Sequence, residues 1–374
     1  MNDQFEEKSN LSNNGNGAEK LTDLLDGATG EFQNIYTEIQ AQRKIASDPS
    51  QLLEDRLEAF EDIFESEVGD TTMTRVRNIE REVSIHQIYV KFEGGNPTGT
   101  QKDRIAFAQA MDALRRGYDT MTMATCGNYG VAMALAAISA GLRCLIYIPE
   151  NYSTKRVEEM TQLGSEIIRV PGDYEHALEV SRAHAARDEL YDANPGGANT
   201  ALQLSAYGQI AYEIYDELRD APKVVAVPVS NGTTLVGIYK GFLSLYRRGK
   251  TSRMPRMVAG SSFNKNPIVQ AFLKNSPSCE DLKPEQIHET SINEPLINWH
   301  SVDGDYALYA VRQTNGWGEN ASDKAMLSFS KLIREREGLH VLPASTAGLI
   351  ALIEQHRKQP LNSDRYVVLL TGRK

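Results

Sequence analysis

From Gly69 onward, short apolar runs bounded by turn residues alternate with segments of helical periodicity, and this alternation constrains the fold more than any other feature of the chain. It predicts strands at His86–Phe92, Thr120–Thr125, Cys144–Ile148, Glu166–Val170, Val224–Val229, Arg256–Ser261 and Arg365–Leu370. The intervening periodicity predicts helices at Asp103–Arg116, Val131–Ala140, Thr154–Leu163, Tyr174–Glu189, Ala206–Leu218, Leu235–Tyr246, Ser322–Glu337 and Thr346–His356. Strand-then-helix repetition on this scale implies α/β architecture, with mainly parallel sheets covered by helices on both faces. Such sheets bind ligands beyond the carboxyl ends of their strands. The turns at those ends are therefore where chemistry is sought.

Three strand-to-helix turns are rich in Gly, Asn and Thr. The first, KFEGGNPTGTQKDRIA (Lys91–Ala106), brings Lys102 to a helix start. Gly94 and Gly99 have the spacing of a nucleotide-binding phosphate loop, but Thr100 stands where that loop needs lysine. A helix start repels an ammonium, and with partial burial this lowers a lysine pKa and frees the amine for Schiff-base chemistry. Taken alone, Lys102 reads rather as an exposed lysine beside Asp103; the Gly-Asn-Pro-Thr-Gly turn before it shifts the balance toward chemistry. The second turn, ATCGNYGVAMA (Ala124–Ala134), has small residues that let helix-start N–H groups approach a carboxylate; a tight structural connection is the alternative. Cys126 lies in this turn without a histidine nearby in sequence, which argues against a nucleophilic role. The third, VAVPVSNGTTLVGIYKG (Val225–Gly241), places Ser230, Asn231, Gly232, Thr233 and Thr234 before a helix. That is a phosphate cradle without lysine. Helix capping alone would need one such residue.

Charge separates the ends of the chain. Of 50 acidic and 40 basic side chains, residues 1–70 hold 17 and 5, leaving the rest close to neutral. The overall net of −10 argues against a general nucleic-acid binder. No apolar run approaches the roughly 20 residues of a membrane span, and the acidic start MNDQFEEKSN lacks the features of a secretory signal. A cytoplasmic protein without a membrane partner is expected. The three cysteines and seven histidines are scattered, so no metal site is expected.

The order of these turns, with GDTTMTRV, EGGNPTGTQKDR, ATCGNYG, PVSNGTT, EREGLHVLPASTAGLIAL and VVLLTG as anchors between Gly69 and Gly372, resembles the fold-type II pyridoxal-phosphate enzymes, the tryptophan synthase β-like superfamily, and within it the threonine synthases. The resemblance implies two three-layer α/β domains. The large, cofactor-binding one would comprise 69–105 and 206–374, and the smaller, mobile one 106–205. Ahead of them are expected an acidic disordered tail (1–19) and an acidic helical arm (20–68), the latter helical from Leu21 to about Phe64 and serving for docking or oligomer contact.

By the same resemblance Lys102 is the Schiff-base lysine for pyridoxal 5'-phosphate. Asn128 faces the cofactor's 3′-oxygen, Ser230, Asn231, Gly232, Thr233 and Thr234 hold its phosphate, and Thr371 meets the ring nitrogen. Thr125, Cys126, Gly127 and Tyr129 would receive a substrate carboxylate, with Asn199 and Gln203 as further substrate contacts. A homodimer acting on a small amino acid is implied. The reaction would expel a side-chain leaving group, as when O-phosphohomoserine becomes threonine.

Four departures bear on the substrate. Gln101 replaces the usual aromatic, Cys126 a common Ser or Thr, and Leu342 an expected Glu. From Asp188 through Leu218 there is no basic side chain where threonine synthases usually present arginine to substrate phosphate. Replacement or elimination on an activated serine or on threonine therefore stands as an alternative, as does a non-catalytic scaffold using the acidic arm.

Overall fold

The computed structural model describes residues 28–125, 127–152 and 155–374, with side chains from residue 38. The tail expected over 1–19, the first part of the arm (20–27) and Cys126 lie outside the described residues.

Two sheets organise the described chain. The larger has six strands in the order β1-β2-β10-β7-β8-β9, where β1 is Met73–Arg75, β2 Ile88–Phe92, β7 Val224–Pro228, β8 Arg256–Ser262, β9 Trp317–Ala321 and β10 Tyr366–Leu370. All neighbours are parallel except β1, which runs antiparallel to β2. Every residue of β7 (VVAVP) and β10 (YVVLL) is buried, as helix cover on both faces requires. The smaller sheet is wholly parallel, in the order β5-β4-β3-β6: β3 is Thr120–Ala124, β4 Arg143–Pro149, β5 Glu166–Val170 and β6 Tyr191–Asp192.

The helices are α1 (Ala28–Ser47), α2 (Leu53–Glu67), α3 (Arg77–Val83), α4 (Lys102–Arg115), α5 (Asn128–Ser139), α6 (Lys155–Gln162), α7 (Tyr174–Arg187), α8 (Thr200–Leu218), α9 (Thr233–Arg247), α10 (Pro267–Leu273), α11 (Gly304–Gln313), α12 (Asp323–Glu337) and α13 (Ala347–Lys358). Each predicted strand and helix is present, with ends moved by a few residues. The longest shift is at α8, which begins six residues earlier than its apolar stripe because the polar start TALQLS faces partly to solvent. The sequence reading omitted β1, α3, β6, α10, α11 and β9; of these only α11 reaches ten residues, so the others leave a weak periodic signal. The helix expected over Leu21–Phe64 is instead two, broken by the turn at Asp48–Leu52 that contains Pro49.

Glycines decide one helix contact that matters for the site. A side chain on Gly241 would come 2.5 Å from the carbonyl oxygen of Gly208, and one on Gly237 2.8 Å from that of Leu204. Without Cβ atoms there, α8 and α9 lie backbone against backbone. The carboxyl ends of β2, β3, β7 and β10 then open toward the same region.

Candidate active site

Lys102 begins α4, and its turn is held from three sides. Its own N–H donates to Thr100 Oγ1 (3.2 Å), the Gln101 N–H donates to the Thr371 carbonyl (3.0 Å), and Asp103 accepts from both the N–H (2.9 Å) and the hydroxyl (2.7 Å) of Thr98. Gly99, at φ +85°, makes the turn possible, since this left-handed conformation strains other residues. Beneath it lies a buried ionic cluster. Arg104 donates to Glu93 (2.6 and 2.9 Å) and to Glu213 (2.5 and 2.9 Å), and Lys91 pairs with Glu213 at 2.6 Å. Burial raises Glu213, but its Arg104 hydrogen bonds and the charges of Arg104 and Lys91 outweigh that and hold it at about 2.

The Lys102 amine stands 5.7 Å from the ring centre of Tyr129 and 5.9 Å from that of Tyr207. Desolvation lowers its pKa to about 8, so a substantial neutral fraction exists near physiological pH. The amine opens into a cavity of about 140 Å³. Asn128, Tyr129, Gln203, Ser230, Asn231, Gly232, Thr233, Thr234 and Thr371 all line it with Lys102, which is 269 residues from Thr371 in sequence. Lys102 is the one charged side chain among the described residues of that lining.

Not every expected residue arrives. Asn199 is turned away, donating to the Asp192 carbonyl (2.6 Å) and accepting from Arg116 (3.3 Å). Thr125 and Gly127 lie behind the lining, where the Gly127 N–H faces Thr125 Oγ1 at 3.5 Å. Thr233 lines the cavity, but its hydroxyl is committed to the Asp303 carboxylate, so the backbone is what it can offer a ligand. The Tyr129 hydroxyl donates to the Ala193 carbonyl (2.9 Å) and is thereby fixed.

Three residues are new. Asp303 braces the α9 turn, its carboxyl raised by burial and its N–H donating to the Asn231 carbonyl (2.9 Å). Ser345, fully buried, sits 3.0 Å from the Thr371 hydroxyl and accepts from the Gly372 N–H (3.2 Å). Tyr207 contributes a buried hydroxyl to the cavity wall. The helix expected over Ala206–Leu218 includes Tyr207, and nothing in its spacing distinguishes a cavity-lining tyrosine from a core one. Among the described residues no group of three or more His, Cys, Asp or Glu is placed to hold a metal ion, and no helix is long and apolar enough to cross a membrane.

The site fits an aromatic phosphate ester with an aldehyde. Gly232 (φ +92°) turns the chain into α9, whose first N–H groups have no intrahelical acceptor and suit a phosphate. Beside them the Tyr207 hydroxyl is buried and completes no well-aligned hydrogen bond, a donor that such an anion would satisfy. The lining also offers the Lys102 amine and the neutral hydroxyl of Thr371, which sits 3.0 Å from Ser345 Oγ.

Comparison with known proteins points to the same cofactor. The family model described as "Pyridoxal-phosphate dependent enzyme" matches residues 64–372. The threonine synthase of Methanocaldococcus jannaschii is 29% identical over 305 residues, covering 81% of this chain and 74% of that protein. The threonine synthase of Halalkalibacterium halodurans is 28% identical over 306 residues, covering 81% and 82%. Among solved structures, maize serine racemase superposes with a TM-score of 0.69 at 20% identity, covering 88% of this chain and 95% of that one. The processed threonine deaminase isoform 2 of Solanum lycopersicum gives 0.68 at 13% identity, covering 88% and 93%. At such identities these structures share the fold.

Proposed function

The chain belongs to the pyridoxal-phosphate dependent enzymes, and from that premise we propose that it is a lyase acting on an amino acid with a side-chain leaving group, in the manner of threonine synthase. The observation that carries this reading is the convergence of Lys102, Asn128, the Ser230–Thr234 turn and Thr371 on one cavity. Lys102 would hold the cofactor covalently, the α9 start its phosphate, Asn128 its 3′-oxygen and Thr371 its ring nitrogen. When bound, pyridoxal phosphate supplies an electron sink for negative charge at the substrate α-carbon.

The protein's part is proton handling and exclusion of water. The Lys102 amine would be the base that takes and returns the substrate's α-proton, a task to which a pKa of about 8 suits it. Tyr129 and Tyr207 shield it from solvent on two sides. Thr371 offers a neutral hydroxyl, whose partner Ser345 is also neutral.

O-phosphohomoserine is the substrate that the relatives support. A second reading is favoured by the cavity itself: apart from Lys102 its lining carries no cation, whereas a dianionic leaving group ordinarily meets one. Elimination or replacement on threonine or an activated serine needs no second cation. The experiment is a turnover panel of O-phosphohomoserine, O-phosphoserine, O-acetylserine and threonine. Phosphate release from the first alone supports the threonine synthase reading; turnover confined to the unphosphorylated substrates replaces it with the second. Inertness toward all four, with cofactor bound, defeats both.

A further inference from the structure

We propose that the hydroxyl of Tyr207 is a hydrogen-bond donor to the cofactor's phosphate, closing the cradle at the start of α9 from the opposite wall. The inference rests on the cofactor reading above and adds a residue that the turn motifs do not contain.

Tyr207 lies on α8, fully buried, and its hydroxyl completes no well-aligned hydrogen bond with the protein, the side chain of Thr234 being the group it approaches. Buried polar groups are nearly always paired, and an orphan costs stability, so such a group in a cavity wall calls for a ligand. Its position identifies the ligand's chemistry. The hydroxyl lies beside Thr234 in the helix-start turn, while the ring stands 5.9 Å from the Lys102 amine. The amine and the turn are the two points that the aldehyde and phosphate arms must reach, and those arms sit on adjacent carbons of the pyridine ring. Tyr207 borders both.

The backbone contact of α8 with α9 brings Tyr207 this close, since the Cβ of Tyr207 lies only 2.5 Å from where a side chain on Gly237 would begin. Burial also raises the phenol's pKa, so it stays protonated and donates. The other hydroxyl of the pair is already used, because Tyr129 donates to Ala193. A phosphate oxygen has spare lone pairs for Tyr207, and a hydrogen bond to a charged group is among the stronger ones.

The test compares the full-length chain with Y207F, measuring Kd for pyridoxal phosphate and for pyridoxal, which lacks the phosphate. Y207F is expected to bind pyridoxal phosphate about 10- to 100-fold more weakly, as loss of a charged hydrogen bond implies, and pyridoxal unchanged. Without ligand, Y207F is expected to melt no lower than the native chain, because the hydroxyl removed completes no well-aligned hydrogen bond with the protein. Unchanged affinity for pyridoxal phosphate, or equal weakening for both ligands, overturns the proposal and would leave the hydroxyl to the substrate. A ligand-free Y207F that is destabilised or unfolded overturns it too, by revealing a protein partner. If the native chain binds no pyridoxal phosphate, the cofactor reading itself fails, a result distinct from a native chain and Y207F that bind alike.

Discussion

On the proposed reading, in which Lys102 holds the cofactor, its amine sets the pH at which the site can be loaded. Its amine is lowered from 10.5 to about 8 by burial, so below pH 8 the neutral, reactive fraction falls about tenfold per unit. The rate at which the ligand-free protein captures pyridoxal phosphate, followed by absorbance, is expected to rise about tenfold per pH unit up to about 8 and then level off. A rate that keeps climbing to pH 10 would mean an unshifted lysine. K102A should capture none and remain colourless. At this scale the sequence was informative where chemistry follows from backbone position. Lys102, Asn128, the Ser230–Thr234 turn and Thr371 all follow strand ends, and they meet. Asn199 is not in that lining; its side chain is bonded to Asp192 and Arg116, pairings that no local pattern announces. Tyr207 and Ser345 were hidden for the same reason, since their roles depend on neighbours 27 and 26 residues away.

At the scale of elements, the turn that carries Lys102 depends on a cluster the alternating pattern could not reveal. Arg104, two residues on, is 3% exposed and bridges Glu93 and Glu213. Removing a cation from a buried set leaves carboxylates desolvated and unpaired, at a typical cost of about 3–5 kcal/mol. R104A is therefore expected to lose stability on that order in urea titrations. The sign with pH follows from Glu213: its folded pKa of about 2 lies below the ordinary value of 4.5, so its contribution is complete above 4.5 and is lost as pH falls toward 2. The native chain's excess stability over R104A should shrink across that window. A difference below about 1 kcal/mol, or one indifferent to acid, would show that the cluster does not support the turn. Sequence reading located the strand that holds Lys91, with Glu93 just past its end, and the helix that holds Arg104, because periodicity reports which faces are buried. It could not report that charges would be buried on them, since a charged residue normally marks the solvent face.

The whole molecule joins an acidic N-terminal arm to a nearly neutral body, and the join is apolar. Charge made the arm look like an appendage, with 17 acidic and 5 basic side chains in the first 70 residues. Yet the buried face of α2 is Ala59, Phe60 and Ile63, and Phe60 stacks on Phe107 with ring centres 5.7 Å apart and planes within 10°. Phe64 adds a second ring at 5.9 Å. Phe107 lies on α4, a little over one turn from Lys102, so the arm packs on the helix that presents the amine. Arg56 ties the same arm to the end of α5 through the Ala140 carbonyl, at 2.8 Å. The acidity of α2, at Glu54, Asp55, Glu58, Glu61, Asp62 and Glu65, is thus the outward face of an amphipathic helix whose inward face belongs to the main core. Truncating a fully buried phenylalanine typically costs about 3–5 kcal/mol, so F60A is expected to lower stability by that amount. Because the cavity walls are formed without α2, cofactor affinity per folded molecule should change less than twofold, measured at a temperature where F60A is still folded. A stability loss under about 1 kcal/mol would return the arm to the status of an appendage. A large loss of affinity in fully folded F60A would instead mean that the Phe60–Phe107 stack fixes the position of α4, and with it the amine of Lys102.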